Sequence, residues 1–452
     1  KKLKQFLVVL LAFCCGFLFY VVEMKNYTPP SISGEQEITA RVSAQSSIKS
    51  KYQCVILDDV VINGEKQSYN IMLVNYNTGN LFNDGEIISG KATLTNSNIF
   101  FKDSLNSSVY KNNIKYVTRT KLSDFDIVGK DLKFNEKVQQ SVKNQLDKFM
   151  TEENSAIDYA MMFGDKSEIS YDVRDDFSKS GIAHILAISG LHVGVLVGFV
   201  MWILKKCKVN RFVSLGIISA FLILYCYLCS FSPSIVRASI MSIILLLANS
   251  IGKRYDSLSS IGLAGILILI FKPLYTFDIG FQMSFACVIG IAVLYPTINR
   301  FLMKIKFPKF LSQPLAMSIS TQIALIPILI NCFGSFSILS VFLNIFVIPL
   351  FSVGYIIQFV FLPLTYITPF FGNFLYLTQL ILEAIKISAS FVASIPYTFI
   401  SLFKLNFTIY LGYYALIFFA SRMCLLNKRY KIAACVSVAS LTTVASLILY
   451  FC

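Results

Sequence analysis

The chain has 452 residues, of which 55% are hydrophobic and only 14% are charged, and its formal net charge is +15. This composition excludes an ordinary soluble globular protein, in which about 25% of the residues are charged. Many apolar runs approach the ~20 residues that a helix needs to cross a hydrocarbon core about 30 Å thick. The sequence therefore predicts a multi-pass helical membrane protein.

The positive charge is concentrated in the second part of the chain. Positions 23–183 carry 19 basic and 22 acidic residues, whereas 18 basic and three acidic residues follow from position 184 onward. The positive-inside rule accounts for such an excess in cytoplasmic loops, and attraction of a polyanion also accounts for it. The two explanations are compatible with each other.

The chain opens with three lysines among its first four residues, followed by an apolar stretch at 6–22. That stretch is long enough to be a membrane anchor, and a signal peptide is the alternative. Because no small-residue cleavage site stands out after it, we expect an N-terminal transmembrane anchor at 1–22.

Residues 23–133 form the long polar region and predict a β domain. Alternating patterns typical of short strands fall at 38–42, 53–57, 69–74 and 86–94, with turn-forming residues between them. Several short strands in such a span are typical of a small β-barrel. Such a barrel is compatible with binding of single-stranded nucleic acid, and equally with a spacer or docking domain.

The region 134–183 predicts a helical linker. Apolar residues recur at helical spacing between charged positions from Val138 to Met161. This pattern predicts one amphipathic helix of roughly 25 residues. We expect it to lie on the membrane surface or against the helical bundle.

The remaining apolar runs predict the crossings of the bilayer. Basic clusters follow alternate runs, which places those loops in the cytoplasm. About eleven crossings result, with the β domain outside; the short run at 259–271 is either a span or re-entrant. The predicted spans are 6–22, 184–204, 212–230, 234–252, 259–271, 279–300, 313–332, 338–362, 374–395, 405–421 and 432–451.

The most informative stretch, at 181–198, reads G-I-A-H-I-L-A-I-S-G-L-H-V-G-V-L-V-G. It contains both histidines of the chain, His184 and His192, together with Ser189. Buried polar groups cost free energy unless they find partners, so a lipid-facing span would not need them. We expect an inward-facing helix at the centre of the bundle, where these groups either bond between helices or line a pore.

Three glycines in the same stretch recur every four residues. Such a strip allows another helix to approach closely. The glycines are Gly190, Gly194 and Gly198.

Two further polar motifs interrupt apolar runs. The motif S-P-S-I-V-R-A-S-I-M begins at Ser232 and contains Ser234 and Arg237. A guanidinium at membrane depth costs about 2.5–3.5 kcal/mol or more, so Arg237 either snorkels or faces a cavity as a phosphate contact.

The second motif, D-I-G-F-Q-M-S-F, begins at Asp278 and contains Gly280, Gln282 and Ser284. Asp278 is predicted to cap the following helix, and contact with a substrate is the alternative. Gln282 and Ser284 would be costly on a lipid face.

Weaker polar elements follow downstream. Gln322 precedes Pro327, and Asn344 precedes Pro349, each by five residues. Proline inside a span either breaks a helix that lines a cavity or simply kinks it.

Together these motifs, in this order, resemble the ComEC competence family, whose hallmark is close to H-L-L-A-I-S-G-L-H-V. The resemblance covers most of residues 35–350. It implies an OB-like β domain at 23–133 and a transmembrane competence, or channel, domain at 184–452. It also implies an inner-membrane channel through which single-stranded DNA enters the cytoplasm during natural transformation.

The resemblance further implies particular site residues and partners. A cytoplasmic helicase and extracytoplasmic DNA-receptor proteins are the implied partners, and the bacterial plasma membrane is the implied location. The expected DNA path consists of His184, Ser189, Gly190, His192, Ser234, Arg237, Gln282, Ser284, Gln322 and Asn344. Packing or capping is expected of Gly194, Gly198, Asp278 and Gly280.

Catalysis is not expected of this chain. Ser189 and His192 are three residues apart, but no carboxylate lies nearby in sequence to orient the imidazole. Two histidines do not make a zinc site, and no nucleotide-binding loop occurs. We therefore expect neither cofactor nor metal. Many relatives carry a metallo-β-lactamase-like nuclease domain with a His/Asp metal motif. That motif is absent here, because the chain has only two histidines and both lie at 181–198.

Two rival functions remain open. One is a transporter of a small anion or lipid precursor with alternating access. The other is a non-transporting scaffold that recruits uptake machinery through its β domain.

Overall fold

The computed structural model describes residues 32, 34–49, 52–75, 82–97, 109, 112–118, 125–333, 335–395, 399–401, 407–420, 430, 435–438, 440 and 442. The predicted anchor at 1–22 lies outside the described residues, as does most of the predicted span at 432–451. The described chain forms an N-terminal β domain, a helical linker and a helical bundle.

The β domain is a small barrel. Its strands are β1 (Glu35–Lys49), β2 (Tyr52–Ile62), β3 (Glu65–Lys66), β4 (Asn70–Asn75), β5 (Glu86–Asn96), β6 (Ile114–Thr118) and β7 (Phe125–Lys130). The pairing runs β1–β2–β4–β6–β5 and returns from β5 to β1, so five strands close a ring. Within that ring β4 and β6 are parallel, and β3 and β7 pair at its margins.

The alternating residues of the strands fill the barrel. Ile38, Leu57, Ile71, Ile88 and Tyr116 belong to one buried apolar cluster. The long strand β1 has register shifts near Arg41 and Ala44, and such bulges bend a strand so that one strand can pair on both sides of a barrel. The four predicted strands are confirmed.

The linker contains helices α1 (Phe134–Phe149), α2 (Glu152–Phe163) and α3 (Tyr171–Lys179). The prediction of one helix of about 25 residues is wrong, because Met150 and Thr151 are extended and separate α1 from α2. A new helix begins directly after Thr151. Glu152 and Glu153 lie in its first turn, where the positive end of the helix dipole stabilises acidic side chains.

Helix α2 packs against the bundle instead of lying on a membrane surface. Most of its residues from Asn154 to Met162 are buried. Its neighbour α1 donates a hydrogen bond from Gln139 to the Leu228 carbonyl and another from Gln145 to the Thr365 hydroxyl. Of the two expected locations for the linker, the one against the bundle is therefore observed.

The bundle follows. Its helices are α4 (Gly190–Lys206), α5 (Arg211–Leu228), α6 (Pro233–Ser250), α7 (Ser257–Phe271), α8 (Ile279–Lys304), α9 (Lys309–Phe333), α10 (Ser340–Leu364), α11 (Gly372–Ser394) and α12 (Phe407–Ala420). Two 3-10 turns, Pro273–Phe277 and Pro369–Phe371, and a short strand pair, β8 (Ser335–Ser337) with β9 (Phe399–Ser401), join them.

Six of these helices are long and apolar enough to cross a membrane within the described residues, namely α5, α6, α8, α9, α10 and the 369–394 segment that contains α11. Their bounds agree with the predicted spans to within a few residues. The chain is a helical membrane protein with a small barrel domain.

Candidate polar site in the helical bundle

The stretch with both histidines is only partly helical. Helix α4 begins at Gly190, and the residues from Ile182 to Ile188 that precede it are not helical. The expectation of a helix from 184 is therefore wrong by one and a half turns. Serine caps a helix by accepting backbone N–H groups in an extended conformation, and Ser189, with φ −129° and ψ 170°, occupies that position.

Ser189 and His192 form a reciprocal cap. The Ser189 hydroxyl accepts the Leu191 amide at 3.2 Å, and His192 Nδ1 accepts the Ser189 amide at 3.2 Å. The hydroxyl also lies 3.0 Å from Nδ1. Because Nδ1 acts as an acceptor, a neutral His192 carries its proton on Nε2. The proximity of the two side chains thus has a structural role.

His192 is fully buried against helix α10. Its ring meets Phe351 and Tyr355 edge-on, with ring centroids 4.7 and 5.0 Å away. Tyr355 in turn lies 2.8 Å from the Tyr225 hydroxyl, which donates to the Met162 carbonyl. His192 Nε2 has no hydrogen-bond partner among the described residues. An unsatisfied N–H donor is therefore sealed inside the bundle.

Arg237 is buried within the described bundle. It lies on the first turns of α6, and only 4% of its surface is exposed. Its guanidinium lies against Gly190, in the space that a Cβ at that position would fill. Its observed hydrogen bond goes to the Met241 sulfur at 3.8 Å, and its Nε has no partner within the described chain. A buried cation next to the start of α4 is thus without a carboxylate.

The Asp278 motif is a helix cap, as predicted. Asp278 accepts the Phe281 amide at 2.8 Å at the start of α8. A Cβ on Gly280 would lie 2.8 Å from the Asp278 carboxylate, so the glycine leaves room for this cap. Ser234 donates to the Gly280 carbonyl at 3.4 Å and so joins the starts of α6 and α8.

Gln282 and Ser284 lie on the same helix. The Gln282 amide donates to the Thr276 carbonyl at 2.9 Å, which holds the 3-10 turn Pro273–Phe277 against α8. Ser284 is half-buried. Gln282 thus has a partner in the protein, and its place on a DNA path stays a prediction.

The downstream elements meet where α9 and α10 pack. The Gln322 amide bonds to the Ser340 hydroxyl, which donates to the Ser337 carbonyl. Two carboxamide oxygens, Gln322 Oε1 and Asn344 Oδ1, have no partner among the described residues. Pro327 and Pro349 lie inside helices that continue past them, so these helices are not broken.

The expectation of close packing at two glycines is wrong. A Cβ at Gly194 or Gly198 would meet nothing within 4 Å in the described chain, and both residues are exposed. Their spacing of four residues places them on one face of α4, but that face turns away from the other helices of the described chain. His184 precedes the helix and is half-buried, so it does not share a helical face with His192.

Sequence reasoning missed a second group of buried polar residues. Asp158 on α2 and Gln358 on α10 are fully buried, and their side-chain polar atoms lack partners within the described residues. Burial raises the Asp158 pKa well above its usual range, and the neighbouring Gln358 opposes this only in part. Gln358 inside an apolar run was the signal that could have indicated an inward-facing position.

The β domain contains a cleft of about 450 Å³. Its wall includes a tilted aromatic pair, Tyr69 and Tyr116, with ring centroids 5.3 Å apart. Lys115 Nζ lies 5.7 Å from the Tyr69 ring centroid. Burial and the neighbouring Tyr116 raise the Tyr69 pKa to about 12, so its hydroxyl is neutral at physiological pH. The lining residues are Ile32, Ile62, Asn63, Glu65, Gln67, Tyr69, Lys115 and Tyr116.

Comparison with known proteins assigns the family. A model described as "Competence protein" matches residues 161–427, which is more than half of the chain. The chain belongs to the competence protein family. The match includes the Ser189 cap, Arg237 and the Asp278 cap, so the motifs that suggested this family lie within the matched region.

Two curated relatives of this competence protein cover smaller segments. ComE operon protein 3 of Bacillus subtilis (strain 168) is 32% identical over 200 residues, which is 44% of this chain and 25% of the relative. An uncharacterised protein of Aquifex aeolicus (strain VF5) is 30% identical over 162 residues, 35% of this chain and 36% of the relative. The matched segments thus span about a quarter to about a third of these relatives. No solved structure matches the chain.

Proposed function

We propose that this competence protein is an inner-membrane channel for single-stranded DNA, which enters the cytoplasm through it during natural transformation. Membership of the family implies a role in DNA uptake. The observation that carries the proposal of a channel is Arg237, a buried guanidinium with no carboxylate partner in the described bundle of such a protein.

Unpaired polar groups in a membrane bundle favour a path for a hydrophilic substrate. Leaving a buried donor or acceptor unsatisfied costs about 1–3 kcal/mol, and such groups persist in membranes where they serve ions or substrates. The described bundle holds His192, Arg237, Gln322 and Asn344 with at least one unsatisfied atom each. A strand of DNA supplies phosphate acceptors, base edges and sugar oxygens to such groups.

The proposed topology contains about eleven crossings, with the β domain outside the cell. This count adds α4, α7, α12 and the predicted segments at 6–22 and 432–451 to the six long helices of the described chain. The loops after α4, α6 and α8 carry basic residues, which favours their cytoplasmic location.

The β domain is proposed to be OB-like and to receive DNA. Closure of five strands into one ring supports the OB-like assignment. Single strands bind OB folds by stacking bases on aromatic side chains beside a basic groove. Tyr69 with Lys115 provides an aromatic face and a cation in the lining of the cleft.

The energy for transport is proposed to come from a partner. A cytoplasmic helicase would pull the strand, and extracytoplasmic DNA-receptor proteins would deliver it, since the sequence has no nucleotide-binding loop. We also propose that this polypeptide does not itself cleave DNA.

The proposal predicts that charge at position 237 controls uptake. Arg237→Glu, expressed in a transformable host that lacks its own copy, should abolish entry of radiolabelled DNA at a normal membrane level of the protein, because the carboxylate repels phosphates. Lys253→Glu makes the same charge change at an exposed position and should leave entry intact. Full DNA entry with Arg237→Glu would show that Arg237 is not on the DNA path. Full DNA entry in a host without the protein would show that the protein is not the channel.

A further inference from the structure

Arg237 combines two unfavourable electrostatic features. Its guanidinium is buried, with a thioether as its observed acceptor. It also lies against Gly190, the first residue of α4. A helix start carries a positive potential of roughly half an elementary charge, so two positive centres adjoin each other.

The carboxylates of the bundle are engaged elsewhere. Asp256 accepts the Ser259 hydroxyl at 2.5 Å, and Asp278 caps α8. Glu383 pairs with Lys386 at 2.9 Å. None of them forms an ion pair with Arg237 in the described chain. A buried charge without a partner is strongly unfavourable, so this arrangement favours an anion supplied from outside the protein.

The geometry selects the chemical class of that anion. A guanidinium presents paired N–H donors that match the oxygens of a phosphate, and the start of α4 adds a positive potential. Gly190 makes the site possible, because any Cβ would occupy the place of the guanidinium.

We propose that Arg237 and the first turn of α4 hold one phosphodiester group at a time, as a station on the path of the DNA strand. This inference rests on the proposed function and names the part of DNA that the site recognises. The phosphate is recognised without regard to base, so the station accepts any sequence. Because the protein supplies one cation here, binding is weak enough for the strand to move on.

The full chain, purified in detergent, tests the site with dimethyl phosphate, a phosphodiester monoanion, as the probe. The probe should raise the thermal midpoint of the wild type in a saturable manner. Arg237→Met should abolish this shift, and Arg237→Lys should weaken binding about tenfold, because an ammonium lacks the paired donors. Inorganic phosphate serves as a second probe, and tighter binding of it than of the diester would overturn the phosphodiester assignment in favour of a small-anion site.

A merely structural arginine gives the opposite result in the absence of the probe. If Arg237 stabilises the bundle, Arg237→Met lowers the midpoint of the empty protein. If Arg237 serves to bind a phosphate, Arg237→Met leaves that midpoint unchanged or raises it, since an unpaired buried charge is removed. A lower midpoint of Arg237→Met, together with no shift of the wild type on adding the probe, would overturn the proposal.

Two alanine substitutions on α4 provide a matched pair. Gly190→Ala displaces the guanidinium and should abolish the response to dimethyl phosphate. Gly194→Ala points into open space one turn later and should preserve it. Equal responses of the two variants would contradict the site.

DNA uptake assays separate failure of this site from failure of the channel. If Arg237→Met blocks uptake but no variant changes phosphate binding, the channel stands and the station is wrong. If phosphate binding requires Arg237 but Arg237→Met imports DNA normally, the site is not on the DNA path, and the station is again wrong.

Discussion

Arg41 on β1 donates to Glu136 on α1 across 2.6 Å, and this ion pair joins the barrel to the helical linker. The same guanidinium donates to both oxygens of Asp58 at 2.9 and 2.6 Å. Burial lowers the Arg41 pKa, but the hydrogen bonds and charges of Asp58 and Glu136 outweigh it and leave the pKa raised. The charge at this junction is therefore permanent.

Loss of Arg41 should weaken the junction. Arg41→Met leaves Asp58 and Glu136 without their main partner, and breaking such a buried pair costs about 3–5 kcal/mol. We expect faster proteolysis between β7 and α1 and a lower thermal midpoint in detergent. Lys66→Met removes an exposed ion pair with Asp59 and should change the midpoint little. A stable, protease-resistant Arg41→Met protein would show that other contacts hold the junction.

Asp158 should make stability fall as the pH rises. Burial raises its pKa in the folded state, whereas an unfolded aspartate titrates near about 3.9. The folded state therefore binds more protons between these two values, and stability is lost as the pH rises through that window. Asp158→Asn should flatten the decline of the thermal midpoint as the pH rises above the unfolded value. Asp147→Asn, on the exposed side of α1, is the control. Identical wild-type and Asp158→Asn profiles would contradict a buried, neutral carboxyl.

Gly290 should be a glycine on which the packing of α8 against α9 depends. A Cβ there would lie 2.9 Å from the Ser320 carbonyl and would overlap the side chain of Ala324, so α8 and α9 pack closely only because position 290 has no side chain. Gly290→Val should destabilise the bundle by about 1–3 kcal/mol or more through overpacking, measured as a lower thermal midpoint. Gly194→Val enters open space and should be tolerated. The reverse order of the two midpoints would mean that the contact surface lies on α4 instead.

The cleft of the barrel should contribute to DNA binding. Tyr69→Ala removes a stacking face, which is worth about 1–3 kcal/mol per base, so affinity of the full chain for a fluorescent single-stranded oligonucleotide should fall. Lys115→Glu should reduce the affinity for the oligonucleotide more than Tyr69→Ala does and should weaken the dependence of this affinity on salt. Lys91→Glu, an equal charge change at an exposed position on β5, is the control. If all three variants bind like the wild type, the barrel is a spacer and the cleft has no role in binding.

The sequence by itself determined the six long helices of the bundle and four strands of the barrel. A helix in a bilayer must satisfy its own backbone and be long enough to cross, so hydropathy and length place it. Alternation did the same for β1, β2, β4 and β5. The Asp278 cap was also predictable, because a carboxylate before an apolar helix satisfies local N–H groups.

Only the tertiary structure decided which face of each helix turns inward and what meets there. Gly194 and Gly198 have the spacing of a packing strip, yet Gly290 makes the close contact. Arg237 and Gly190 are 47 positions apart in the chain, and no local pattern predicts that the guanidinium reaches the start of α4. The burial of a side chain, its hydrogen-bond partners and the charge balance around it depend on contacts between segments that are distant in the chain. Periodicity and helix capping depend on residues that are close in sequence. Only features of the second kind could be predicted from the sequence.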